Sequence, residues 1–284
     1  MLESTFQLAR GIGPLRERRL WRAGVARWRD LADAASSSPS LLPPAAARTL
    51  RAAVDDAATA FAARDADRLA ALVPARERWR LFAAFGDDAA YLDIETSDDV
   101  VGFAGISAIG VLDRRGPTLL LAGRDLRAFP ALAAGWKMLV TFNGLSFDVP
   151  ILRRAFPAWQ PPVCHVDLRH LLERLGHGGG LKSIERRLTA LGLVRPGHLD
   201  GLDGWDASRL FHRGRDGDRA ALRLFAEYNL LDAIHLRTLM AWAYNEQLAA
   251  ETRDAPALRS CARAVPVPGR GDVLYDVSKI LLSL

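Results

Sequence analysis

The feature that most limits what this chain can fold into is a change of apolar period near Ala89. Before it, up to about Phe85, apolar residues recur at helical spacing in an Ala-rich region. After it come three strand-like runs: YLDIET from Tyr91, VVGFAGISAIGVLD from Val100 and PTLLLAG from Pro117. Turn signals at Ser97-Asp98-Asp99 and Arg114-Arg115-Gly116 separate them, which predicts a three-strand antiparallel meander. A helix over about 125–134, a strand at KMLVTFN, a helix after Asp148, a short strand at PPVCHVDL and further helices follow. Strands alternating with helices add to a sheet in parallel. The expected fold class is therefore α/β: a mixed five-stranded sheet, three strands antiparallel and the later ones parallel, flanked by helices.

Three regions are expected along the chain. Residues 1–85 form a helical region, residues 86–250 carry the sheet, and residues 251–284 are a C-terminal tail with a Pro/Gly stretch, VPVPGRG, and an apolar end, DVLYDVSKILLSL. Residues 1–35 read as two short helices around Gly11-Ile12-Gly13-Pro14, with Pro14 in the first turn of the second. SSSPSLLPP from Ser36 reads as a linker or turn. A long last helix is expected from about Asp218 to Ala250.

Composition narrows the class of protein. No apolar run approaches a membrane span, and MLESTFQLARGIG lacks the layout of a signal peptide, so a cytoplasmic location is expected. Cys164 and Cys261 are isolated, which argues against a disulfide framework or a zinc site. The net charge of +5 and a pI of 9.7 favour a polyanionic partner. Only three of the 38 basic residues are lysine, so an Ala/Arg bias explains part of this basicity.

The chemistry is carried by four carboxylates and a tyrosine. Asp93 and Glu95 are two apart in a strand, so both point to one face while Leu92 and Ile94 enter the core. Tyr228 and Asp232 are four apart in a helix and share a face, about 5–6 Å apart at Cβ. Asp148, in FNGLSFD, would complete the set from a third element. Hard oxygen donors of this kind suit Mg²⁺ or Mn²⁺, and four such groups without a cation would repel one another strongly. Two-metal phosphodiester hydrolysis uses such a donor set.

YLDIET, FNGLSFD and EYNLLD resemble the Exo I, Exo II and Exo III motifs of the DEDDy subgroup of ribonuclease-H-like 3′-to-5′ exonucleases. The position of the histidine in the alternative subgroup is Glu227 here, whereas Tyr228 stands four before Asp232. Asn143, Gly144, Phe147 and Pro150 also match, and the resemblance covers about residues 88–245. With GGLKSIE and EYNLLDAIHL added, the chain resembles the bacterial YprB-type exonuclease family. The resemblance implies a ribonuclease-H-like fold in which Asp93 bridges two ions, Glu95 and Asp232 bind the catalytic one and Asp148 holds the second. It also implies that Tyr228 orients the nucleophile.

Further signals bear on the substrate. Gly176 to Gly180 precede LKSIERRL, where helix-start amides and Lys182 could receive a phosphate; the alternative is a connector with an incidental lysine. LARGIGPLRERRLWRAGVARWRDL, about residues 8–31, resembles a helix-hairpin-helix element, so Gly11 and Gly13 would let backbone amides approach a phosphate, with Arg16, Arg18, Arg19 and Arg22 nearby. A capped hairpin with a solvated basic face is the alternative. Trp205, Phe142 and Phe147 could stack on a terminal base, although packing is the commoner role. His235 is read as a packing or supporting residue and Asn143 as a substrate contact. The expected activity is a 3′-to-5′ exonuclease on nucleic acid, with single-stranded DNA favoured over RNA. An RNA-trimming enzyme or endonuclease of the same fold, or a non-catalytic binding adaptor, are the rivals, and a partner helicase is not specified.

Overall fold

The structure of the chain, a computed structural model, describes residues 1–31, 42–98, 100–268 and 277–284. Most of the expected linker at 36–44 and much of the tail therefore lie outside the described residues. Helices α1 (Pro14–Arg22), α2 (Pro44–Ala62), α3 (Ala66–Leu72) and α4 (Phe82–Phe85) form the N-terminal part, with a 3-10 segment at Ala75–Leu81. Strands β1 (Ala89–Thr96), β2 (Ile106–Asp113) and β3 (Gly116–Leu121) follow. Then come α5 (Phe129–Ala133), β4 (Met138–Thr141), α6 (Asp148–Ala155), β5 (His165–Asp167), α7 (Leu168–Arg174), α8 (Leu181–Arg187), α9 (Gly204–Arg215) and α10 (Arg219–Thr252). Short helices α11 (Pro256–Cys261) and α12 (Ser278–Leu282) end the chain.

The five strands lie in the order β3-β2-β1-β4-β5. β1, β2 and β3 pair antiparallel, and β1 with β4 and β4 with β5 pair parallel. This is the expected mixed sheet. Alternation along the strands divides the core in two. Tyr91, Ala108, Leu112 and Val140 face α10 and the N-terminal helices, whereas Leu92, Ile94, Ile109, Val111 and Leu139 face α5 and α6. The N-terminal helices share the first of these clusters, with Trp21, Leu50, Trp79 and Phe85 buried in it.

A buried charge network joins α1 to the 3-10 segment Ala75–Leu81. Arg80 donates to Glu17 at 2.8 and 3.0 Å and to Glu77 at 2.8 Å, and all three are almost wholly buried. Glu17 also accepts from the backbone of Phe6 at 2.6 Å and from the Gln7 side chain at 2.7 Å.

Two local expectations are corrected. The N-terminal hairpin has only its second α-helix; ahead of it stand a 3-10 turn, Leu2–Ser4, and turns. The backbone there bonds to side chains instead of to itself: Glu17 takes the N–H of Phe6, while Trp21 and Trp28 donate to the carbonyls of Ser4 and Thr5. Strand β2 begins at Ile106, not near Val100. Gly102, Phe103, Ala104 and Gly105 all have positive φ, so the apolar run VVGFAG makes a loop, closed by Ser97 N–H donating to Gly105 O at 2.8 Å.

Candidate active site

The site forms where β1 and β4 part company. Their pairing ends at Tyr91 with Val140, so the later amides of β1 are free of β4. Ile94 N–H instead donates to Asp148 Oδ1 at 3.1 Å, at the first residue of α6. A crevice beyond the carboxyl ends of parallel strands is a common place for a ligand in such sheets.

Asp93 and Glu95 point to the α10 side of the sheet, with Leu92 and Ile94 in the opposite core. Ligand atoms of Asp93, Glu95 and Asp232 all lie within 4.8 Å of one another. Asp148 stands close enough that its charge raises the pKa of both Asp93 and Glu95. It is not in the three-residue cluster, and one of its oxygens is engaged by Ile94. The helix α10 supplies Asp232, Tyr228 one turn before it, and Asn229, whose Nδ2 donates to Asp93 Oδ2 at 2.8 Å.

The carboxylates are poised for a cation. Burial, then the charges of Asp232, Glu95 and Asp148, push Asp93 well above the usual carboxylate range. Burial and Asp232 push Glu95 up to about 8, with Lys182 opposing. Burial lifts Asp148 to about 7 against the bonds from the Ile94 and Asp148 amides. A divalent cation among these oxygens would relieve the crowding, and the donors are the hard oxygens such ions prefer. The residues present fit a divalent metal.

Lys182, on α8, donates to the Tyr228 hydroxyl. Its Nζ lies 4.0 Å from Asp232 Oδ2 and 3.8 Å from the centre of the Tyr228 ring. Burial, then Asp232, Glu95 and Asp93, raise the Tyr228 pKa, so the phenol keeps its proton. Glu227, at the histidine position of the alternative motif, is turned to His198 at 2.7 Å.

The remaining expected residues are distributed as follows. Asn143 has φ +65°, donates its N–H to Asp167 Oδ1 at 2.8 Å and accepts from Arg169 at 2.9 Å through its side chain. The loop it opens leaves Leu145 and Phe147 exposed, whereas Phe142 packs against the core. Trp205, at the start of α9, is 83 % exposed. Gly11 has φ +89° and its carbonyl accepts from Arg16 at 2.6 Å, while Gly13 caps α1. Arg18 and Arg22 face Glu251 and Asp254, at 3.8 and 4.0 Å, near the end of α10.

Three side chains at the site escaped the sequence reading as parts of a network. Arg195 donates to Glu185 at 2.7 and 2.9 Å and to Asp232. His235 Nδ1 lies 3.0 Å from Glu185. Burial alone would raise the Glu185 carboxyl, but His235 and Arg195 outweigh it and hold it at about 2. The available signals were the spacing of His235 to Asp232, which puts both near one helical face, and the presence of Glu185 in GGLKSIE.

A five-stranded mixed sheet with an acidic cluster at the split between its central strands defines a nuclease-type α/β domain capable of binding divalent metal. A family model of the RNase H superfamily, RNase_H_2, matches residues 90–244, more than half of the chain, and the chain belongs to this family. No curated protein and no solved structure gives a significant match. Among the described residues, no helix is long and apolar enough to cross a membrane.

Proposed function

We propose that the chain is a metal-dependent 3′-to-5′ exonuclease of the DEDDy, YprB-like type, acting on nucleic acid with single-stranded DNA as the favoured substrate. The observation that carries this reading is the convergence of Asp93, Glu95 and Asp232 within 4.8 Å, with Tyr228 one turn before Asp232. In this reading Asp93, Glu95, Asp148 and Asp232 hold two Mg²⁺ or Mn²⁺ ions. When bound, such ions activate a water and neutralise charge on the phosphate and the leaving oxygen.

The protein's own groups do the rest. Asp148, steadied through one oxygen by Ile94 N–H, offers its other oxygen. Tyr228, protonated and held by Lys182, orients the attacking water through its hydroxyl. Lys182 also neutralises a phosphate as a compact point charge. Asn143, Gly11 and Gly13 belong to the substrate grip, with residues 1–85 as a helical module, 86–250 as the exonuclease domain and 251–284 as a tail. A cytoplasmic place of action fits this role.

The test is release of mononucleotides from a 3′-labelled single strand with Mg²⁺, with a circular strand as control. Release from the linear strand alone, abolished by Asp93→Ala or Asp232→Ala, is expected. Unchanged hydrolysis in either variant overturns the site assignment, and cleavage of the circle overturns the exonuclease reading.

A further inference from the structure

Arg195 is an unusual neighbour for a metal-binding carboxylate. It lies in the irregular segment between α8 and α9, just before Pro196, so no regular element fixes its place. Its side chain is nonetheless only 9 % exposed. The position is set by bonding: Nε and one terminal nitrogen grip Glu185 at 2.7 and 2.9 Å, and the same terminal nitrogen donates to Asp232 Oδ1. Glu185 is in turn backed by His235 at 3.0 Å. The other terminal nitrogen is buried and has no hydrogen-bond partner among the described residues.

Packing does not explain this arrangement. Apolar residues of similar volume would fill the space without desolvating two carboxylates and a guanidinium, and such replacements are often neutral or stabilising. What the guanidinium provides is a planar, two-sided fork. It holds one oxygen of Asp232, Oδ1, whereas Oδ2 is the oxygen that Lys182 Nζ approaches, at 4.0 Å, while lying 3.8 Å from the centre of the Tyr228 ring.

We infer that Arg195 is a positioning residue, anchored by Glu185 and His235, which holds Asp232 Oδ1 so that Asp232 presents Oδ2 alone to a divalent cation. This rests on the metal-dependent reading proposed above. The Glu185 carboxylate balances the guanidinium, so the arrangement aligns Asp232 without adding net charge to the site.

The test is calorimetric titration of the full chain with Mn²⁺, alongside thermal melting without metal. Arg195→Met combined with Glu185→Gln removes one positive and one negative charge, so the net charge of the pair is unchanged. The Gln side chain still accepts from His235. Mn²⁺ affinity is expected to fall about 10- to 100-fold in this double variant, as for other groups that orient metal ligands. Arg195→Lys keeps the charge but lacks the fork, and is expected to fall between the double variant and the wild type. A double variant that binds Mn²⁺ as tightly as the wild type overturns the inference, as does a loss of melting temperature with unchanged affinity in Arg195→Lys. Wild-type protein that binds no Mn²⁺ instead overturns the metal-dependent reading on which the inference rests.

Discussion

Asn229 donates to Asp93 Oδ2 at 2.8 Å, and its own amide oxygen lies 2.5 Å from where a Cβ on Gly110 would stand. Gly110 pairs directly with Asp93 across the β1–β2 ladder. The absence of a side chain at Gly110 therefore lets α10 come down onto β1 close enough to align Asp93 with Asp232. Gly110→Ala should push α10 away, costing about 1–3 kcal/mol of stability, and should lower Mn²⁺ affinity. Chemical denaturation and calorimetry on the same preparation check both; a variant with wild-type stability and affinity would contradict this role.

Replacing Asp93 with Asn is expected to have opposite effects on stability and activity. It relieves repulsion in a crowded buried cluster, so the metal-free melting temperature should rise, by about 2–4 °C per kcal/mol for a chain of this size, whereas Asp232→Asn should lower it because it leaves the buried Arg195 without this partner. Hydrolysis should fall about 10³-fold or more, because ligand loss removes several kcal/mol of transition-state stabilisation. Melting in a chelator and a single-turnover assay measure the two effects.

Metal-free stability should depend on pH in a direction opposite to that of ordinary paired carboxylates. Glu95 is pushed up to about 8 and Asp148 to about 7, above their ordinary values of 4.5 and 3.8. Across that window the folded chain binds more protons than the unfolded chain. Stability is therefore greatest below the unfolded values and falls as pH rises through the folded ones. Divalent metal replaces those protons, so the stabilisation it gives should grow over the same range. Melting temperatures between about pH 5 and 8.5, with chelator and with Mn²⁺, test the sign. A flat chelator series would contradict it.

Tyr228→Phe separates metal binding from catalysis. It removes only the hydroxyl that accepts from Lys182, so Mn²⁺ affinity should stay near wild type while the rate falls about 100-fold or more. Equal losses in both would mean that the tyrosine supports the fold of the site instead of orienting a water.

The network of Arg80 with Glu17 and Glu77 should matter for stability and not for metal binding. Arg80→Met leaves the buried Glu17 without its cation, and a loss of about 3–5 kcal/mol is expected. Mn²⁺ affinity per folded molecule should not change, because none of these three side chains is among the carboxylates of the site. Denaturation curves and calorimetric titration normalised to folded protein test this.

Local period made much of this molecule legible in sequence. Alternation in YLDIET placed Asp93 and Glu95 on one face, and one helical turn joined Tyr228 to Asp232. The five-strand mixed sheet followed from runs and turns. Interactions without a period were harder to read. Arg195 meets Glu185 and Asp232 from an irregular segment, and in an arginine-rich chain no single arginine stands out. The missing first helix of the hairpin has the same origin, since its backbone bonds are taken by Glu17, Trp21 and Trp28, far along the chain. The late start of β2 reflects positive φ at Phe103 and Ala104, which an apolar run does not announce.

The most direct test of the central claim is a crystal structure with Mn²⁺, its anomalous scattering locating the ions. Two ions about 3.5–4 Å apart, ligated by Asp93, Glu95, Asp148 and Asp232, are expected. Ions bound elsewhere, or no ion at these carboxylates under saturating Mn²⁺, would contradict a two-metal nuclease centre.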